Sequence, residues 1–319
     1  MKKVFRYLGI TVLVIIVLVG ILAAVIAVRG IPSYKAEKIE LAVSATPERI
    51  AQGQKLATML CRNCHFDQNT GRFTGHRMDD IPQFGTIYAR NITRDKQHGI
   101  GNWTDGQIAY LLRTGLKPDG TYLPPYMPKL PHLADEDLYS IIAFLRSEHP
   151  WVKADPTVVP PSSPSFLTKM ITGLGLMKPF PYPKQPIALP DTNNKVAWGK
   201  YIALGQLDCF ACHSRDFAKN DYFNPEKSPG FFGGGNEMAN SSGKKIVSLN
   251  ITMDEETGIG RWSEDDFIKA VKTGQLPHGE SALREPMTPY AMLTDSEVRA
   301  IWAYLQTVPK LQNKVERAQ

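Results

Sequence analysis

All four cysteines of the chain fall into two motifs of one spacing, CRNCH at 61–65 and CFACH at 209–213. Each pair is two residues apart and is closed by a histidine. A zinc site of this type needs a second cysteine pair or histidines within roughly 12 to 20 residues, and these pairs are separated by most of a domain. A thioredoxin-like pair follows a strand in a βαβ unit, whereas the flanks here read as helix and loop. Chance explains one such motif better than two with no cysteine left over. The remaining reading is covalent haem, with Cys61 and Cys64, and Cys209 and Cys212, bonded to the vinyl groups and His65 and His213 facing the iron.

Haem c attachment takes place outside the cytoplasm, so an export signal is expected, and the N-terminus carries one. Lys2, Lys3 and Arg6 precede an uncharged run of 21 residues, Leu8 to Val28. That length crosses a bilayer, which takes about 20 residues. A cleaved signal peptide has an apolar core of roughly 7 to 15 residues, so a retained anchor is favoured over cleavage. The basic tip favours a cytoplasmic N-terminus, placing the rest of the chain in the periplasm of a Gram-negative cell. The net charge of +6 is mostly local, because residues 1–45 hold six Lys or Arg and two acids. The body is therefore close to neutral once haem propionates are added, and a nucleic-acid partner has no support.

The chain repeats itself. NITRDKQHGIGNWTDGQIAYLLRTG from Asn91 matches NITMDEETGIGRWSEDDFIKAVKTG from Asn250 at an offset of 159, and LADEDLYSIIAFL from Leu133 matches LTDSEVRAIWAYL from Leu293 at 160. The haem motifs are offset by 148, which assigns about a dozen extra residues to the second copy, in the loop NPEKSPGFFGGGNEMANSSG. The expected organisation is a cytoplasmic tip and transmembrane anchor (1–30), a linker (31–45), a first haem domain (46–150), a proline-rich linker (151–190), a second haem domain (191–310) and a tail (311–319). The proline-rich linker holds nine of the 24 prolines. It should be extended, with FLTKMITGLGLM as one short amphipathic helix that packs on a haem domain in preference to touching membrane or a partner.

Within each copy, Leu138, Ile141, Ile142 and Leu145, and Val298, Ile301, Trp302 and Leu305, form one buried helical stripe. Thr294 with Glu297 predicts a capping box, and Asp135 is the candidate cap of the first copy. Further helices are expected after Trp103 and Trp262, and before each haem motif. The latter carry Gly53 and Gly199, where a close helix crossing is expected. Three or four helices around each haem, with loops between them, complete the picture.

The second iron ligand decides the chemistry, since methionine opposite histidine suits electron transfer. Met127 in LPPYMPKL and Met287 in LREPMTPY are offset by 160, the register of the helix that follows each. Met78 and Met292 lack such a match. His76, His98, His132, His149 and His278 have no counterparts either, so surface or loop roles are expected. Asn91 and Asn250 are candidates for a propionate contact or a turn, and Trp103 and Trp262 for packing.

The order CxxCH, NIT…GIG.W, a proline-flanked Met and D…AFL resembles the cytochrome c subunits of membrane-bound alcohol, gluconate and fructose dehydrogenases, over roughly residues 46–310. The resemblance implies a mainly α chain, with two tandem class I-like cytochrome c domains after the N-terminal transmembrane helix. It implies two covalently bound haem c groups on Cys61, Cys64, His65, Cys209, Cys212 and His213, with Met127 and Met287 as distal ligands. Family members typically carry three haems, and this sequence holds two motifs. Two-haem relatives that serve molybdenum-containing dehydrogenases are also similar. The expected function is a membrane-anchored periplasmic electron carrier, not itself an enzyme. It would pass electrons from a flavin, quinoprotein or molybdenum dehydrogenase to the respiratory chain. The competing readings are a dihaem peroxidase or thiosulfate dehydrogenase, the latter disfavoured because no fifth cysteine exists, and a direct donor to a terminal oxidase.

Overall fold

The computed structural model describes residues 2–240, 244–277, 279, 282–283 and 285–316, so the sequence candidate His278 lies outside the described residues. The chain is mainly helical. It begins with α1 (Lys2–Arg29), whose apolar side chains are almost wholly exposed and which is long and apolar enough to cross a membrane. The first half then runs α2 (Pro47–Leu60), α3 (Arg62–His65), β1 (Arg77–Met78), β2 (Gly85–Tyr88), α4 (Asp105–Thr114) and α5 (Asp135–Arg146). The connector contributes β3 (Ser163–Pro164) and α6 (Phe166–Gly173). The second half runs α7 (Lys195–Tyr201), α8 (Cys209–His213), β4 (Glu237–Ala239), β5 (Lys245–Val247), α9 (Glu264–Thr273) and α10 (Asp295–Leu305).

Each half has its own core. Leu56, Phe73, Leu138, Ile141, Ile142 and Phe144 close the first, and Ile202, Phe210, Phe232, Val298, Ile301 and Trp302 the second. The predicted stripes are the faces of α5 and α10 that enter these cores. What lets α2 reach α5 is Gly53, where an added Cβ would lie 1.8 Å from the Ser140 carbonyl oxygen. Gly199 does the same on α7, at 1.8 Å from the carbonyl oxygen of Ala300 on α10. Both helix pairs thus cross backbone to backbone, as the sequence predicts.

The helix ends follow their capping chemistry. Thr104 with Gln107, Ser263 with Asp266 and Thr294 with Glu297 form complete capping boxes, and α4 and α9 stop at Gly115 and Gly274 in the left-handed region. Asp135 departs from expectation. Ala134 occupies the cap position of α5, and the Asp135 carboxylate instead accepts from buried Arg113 at 2.7 Å and from the Ile187 amide at 3.2 Å. The Arg113 charge, enclosed by the carbonyls of Leu130 and Leu133 and otherwise unpaired, takes the acid that the helix end would have used.

Small antiparallel ribbons stand where loops were expected. β1 pairs with β2, β2 with β3, and β4 with β5. The first ribbon is the counterpart of the last. The Ile92 amide bonds the Phe73 carbonyl and the Ile251 amide bonds the Phe232 carbonyl, both at the offset of 159. The repeat therefore extends back to Phe73 and Phe232, and the extra residues of the second copy lie before Phe232, earlier than the Gly-rich stretch suggested.

Cys61 is eight positions after Gly53, and Cys209 is ten positions after Gly199. The second helix absorbs the difference with a π-helical turn, Ile202–Gln206, and with Asp208 in the left-handed region at φ 55°.

The two halves share a polar and apolar interface. The buried Asp137 carboxylate accepts from Gln52, Gln206 and the Tyr201 hydroxyl, whose oxygen in turn accepts from the Ala134 amide at 3.0 Å. Lys55 pairs with Glu297 at 2.6 Å, and the His132 ring bonds the Tyr222 carbonyl. Met59 and Leu60, immediately before Cys61, pack against both cores.

Gly199→Ala is expected to push α7 off α10 and destabilise the second half by on the order of 2 kcal/mol, read as a lower unfolding midpoint in urea. An unchanged midpoint would show that the crossing tolerates a methyl group.

Candidate haem-attachment sites

The two motifs sit at the end of a helix pinned against its core. α2 runs into Cys61 and the short α3 carries Cys64 and His65, while α8 carries Cys209, Cys212 and His213 after the π-helical turn. One helical turn brings both sulfurs and the imidazole to the same side, as attachment to one macrocycle requires. All four cysteines keep accessible surface. Burial pushes Cys61 up to about 12, Cys64 to about 11 and Cys209 to about 12, and raises Cys212 as well. Among the described residues no group of three or more His, Cys, Asp or Glu side chains is arranged to hold a metal ion.

The histidines are oriented alike. Nδ1 of His65 lies 2.7 Å from the Arg90 carbonyl oxygen, and Nδ1 of His213 lies 2.9 Å from that of Leu249. A proton on Nδ1 leaves Nε2 as the lone-pair nitrogen in both, the tautomer an axial ligand requires. Burial lowers the pKa of both imidazoles, which favours that neutral form. Beneath each ring the backbone is equally matched. The Gly75 amide bonds the His65 carbonyl and the Gly234 amide bonds that of His213. A Cβ on Gly75 would lie 2.1 Å from the Ala89 carbonyl oxygen, and one on Gly234 would lie 2.4 Å from the Leu249 carbonyl carbon. Both glycines have positive φ. Sequence reading missed this pair and the two supporting carbonyls, although Gly75 and Gly234 stand at the repeat offset of 159.

The methionines occupy equivalent loops. Before Met127 the Leu123 amide bonds the Gly115 carbonyl, and after it the Leu130 amide bonds that of Leu112. Before Met287 the Leu283 amide bonds the Gly274 carbonyl, and after it the Tyr290 amide bonds that of Val271. Met127 packs against the same core as Cys61, Phe66 and Trp103, and Met287 is half-buried. Met292 points to solvent, and Met78 lies on the β1 ribbon.

The other candidates have structural work. Both Asn91 and Asn250 accept from the amide and hydroxyl of the threonine two residues on, and donate to carbonyls of the segment that closes their half. They are turn residues, and the second side-chain N–H of Asn250 bonds the Thr257 hydroxyl at 3.0 Å. The His76 ring bonds the Arg77 and Asn63 carbonyls, His132 bridges the halves, and His149 caps the turn at Trp151. Trp103 and Trp262 pack against their cores.

Two CxxCH turns, each backed by the same histidine–carbonyl bond, fit haem attachment and give the chain the character of a c-type cytochrome. The comparisons agree. The chain is 31% identical over 259 residues to the cytochrome c subunit of a quinone-dependent alcohol dehydrogenase of Gluconacetobacter polyoxogenes, covering 78% of this chain and 53% of that protein. It is 31% identical over 280 residues to a fructose dehydrogenase cytochrome subunit of Gluconobacter japonicus, covering 83% of this chain and 54% of that one. A dihaem c-type cytochrome of Cereibacter sphaeroides is 27% identical over 234 residues, covering 72% of this chain and 74% of that protein. No family model matches. The chain spans about half the length of the dehydrogenase subunits it matches. These relatives, like the sequence motifs, imply covalently bound haem c.

Proposed function

We propose that the chain is a membrane-anchored dihaem cytochrome c that takes electrons from a dehydrogenase and relays them to the respiratory chain from the periplasmic face. In this reading two tandem class I-like cytochrome c domains follow the anchor. Cys61, Cys64 and His65 would hold one haem and Cys209, Cys212 and His213 the other, with Met127 and Met287 supplying the second iron ligand of each. The observation that carries it is the pair of methionine loops, bracketed by the same backbone hydrogen bonds and placed at the same distance before the helix that follows each. Haem iron ligated by His and Met supplies one-electron exchange at a raised potential. The protein's own part is to orient each imidazole through Arg90 or Leu249, to shelter the thioether positions among apolar side chains, and to fix the two halves through Asp137, Tyr201 and Lys55.

Replacing Met127 or Met287 by Ala is expected to leave haem attached while lowering the potential of that haem and removing its far-red ferric band. Unchanged spectra in both variants would refute the ligand assignment. Recovery of the chain from membranes in mild detergent is expected to bring with it a flavin, quinoprotein or molybdenum subunit whose substrate reduces both haems. A chain recovered alone, with rapid cyanide binding at one iron, would instead support the enzyme reading.

A further inference from the structure

The connector helix α6 is turned inside out. Thr168 and Thr172, one turn apart, are each 1% exposed, with their hydroxyls bonded to the carbonyls of Phe84 and Thr168. Around the rest of the helix and the turn after it the large apolar side chains face outward, with Phe166 48%, Leu167 50%, Leu174 50% and Leu176 72% exposed. At 100° per residue Phe166, Leu167, Met170 and Leu174 share one face, and the two threonines lie opposite. The sequence led us to expect this helix to pack its apolar stripe on a haem domain. The helix does pack on the first half, but through its threonine face, which is turned inward toward Phe84.

What lies beside this apolar face is the end of α1. The Lys169 ammonium bonds the Ala27 carbonyl at 3.3 Å, and a Cβ on Gly173 would lie 3.8 Å from Ile26 Cγ1. The uncharged run of α1 ends at Val28, followed by Arg29. An apolar run of that length covers a hydrocarbon core about 30 Å thick, so its last turn sits at the boundary between acyl chains and headgroups. A helix packed against that turn lies at the same depth, where interfacial helices bury their apolar faces.

We propose that α6 and the turn through Leu176 form a second membrane contact, inserting Phe166, Leu167, Leu174 and Leu176 into the acyl–headgroup boundary of a phospholipid bilayer. This rests on the reading that α1 spans the membrane. With α1 alone, the folded body would be free to rotate about one tether. With α6 docked, one face of the first half is held against the bilayer and the haem domains keep a set orientation toward membrane partners.

The test uses the full haem-loaded chain in vesicles of phosphatidylethanolamine and phosphatidylglycerol containing a diazirine-bearing phospholipid. After photolysis the adducts are mapped by peptide mass spectrometry. Adducts are expected on residues 8–28 and on 166–176, with none around Lys227. In the double variant Leu167→Asp, Leu176→Asp the second set should be lost, while the first set and the haem spectrum persist. Adducts on 8–28 alone in the unmodified chain would overturn the α6 proposal and leave the anchor standing. Absence of adducts on 8–28 would overturn the anchor reading, and the proposal with it. Protection of 166–176 from hydrogen exchange only on addition of a dehydrogenase subunit would overturn it in favour of a protein partner.

Discussion

Everything downstream in each half depends on a backbone-to-backbone helix contact made through one glycine. Gly53 presses α2 against the Ser140 carbonyl, and Gly199 presses α7 against that of Ala300. The pinned helix leads into the CxxCH turn, and the helix it is pinned to begins just after the methionine loop. A single contact therefore sets the relative position of the CxxCH turn and the methionine loop in each half. A side chain at either glycine would separate the helices, and packed cores absorb such separations poorly. The second half shows how strictly the geometry is kept. With two more residues between its glycine and its first cysteine, it takes up the surplus in a π-helical turn and one left-handed residue.

The same economy governs the join between the halves. Met59 and Leu60 belong to both cores, so the helix that presents Cys61 is also part of the interface. Asp137, buried with three donors around its carboxylate, ties α5 to α2 and to the α7 region at once. A buried carboxylate with its hydrogen bonds complete is a specific device, because loss of one donor leaves charge without compensation. The two CxxCH turns are thereby held in one packed body.

Much of this was legible because duplication turns sequence into its own comparison. The offset picked out the methionine loops and the capping boxes, and the helices before each motif showed the crossing glycines, all local or pairwise features with strong residue preferences. What stayed hidden depends on tertiary competition. Asp135 reads as a cap until the buried Arg113 claims it. Asn91 and Asn250 read as polar candidates until their turns and closing segments consume every donor. The supporting carbonyls of Arg90 and Leu249 have no side-chain signature, because the backbone oxygen does the work. Gly75 and Gly234 were visible in the repeat, and only the positive φ and the close Ala89 and Leu249 backbones explain them. The orientation of α6 was also beyond the sequence, since its periodicity defines an apolar face and not what that face meets.

The most direct check is the intact mass of the chain purified from membranes and denatured in acid, which strips any group not covalently held. The account predicts the polypeptide mass plus two haem groups, with every cysteine unreactive toward alkylating reagent. A mass with one haem or none, or two alkylatable thiols in either motif, would contradict it.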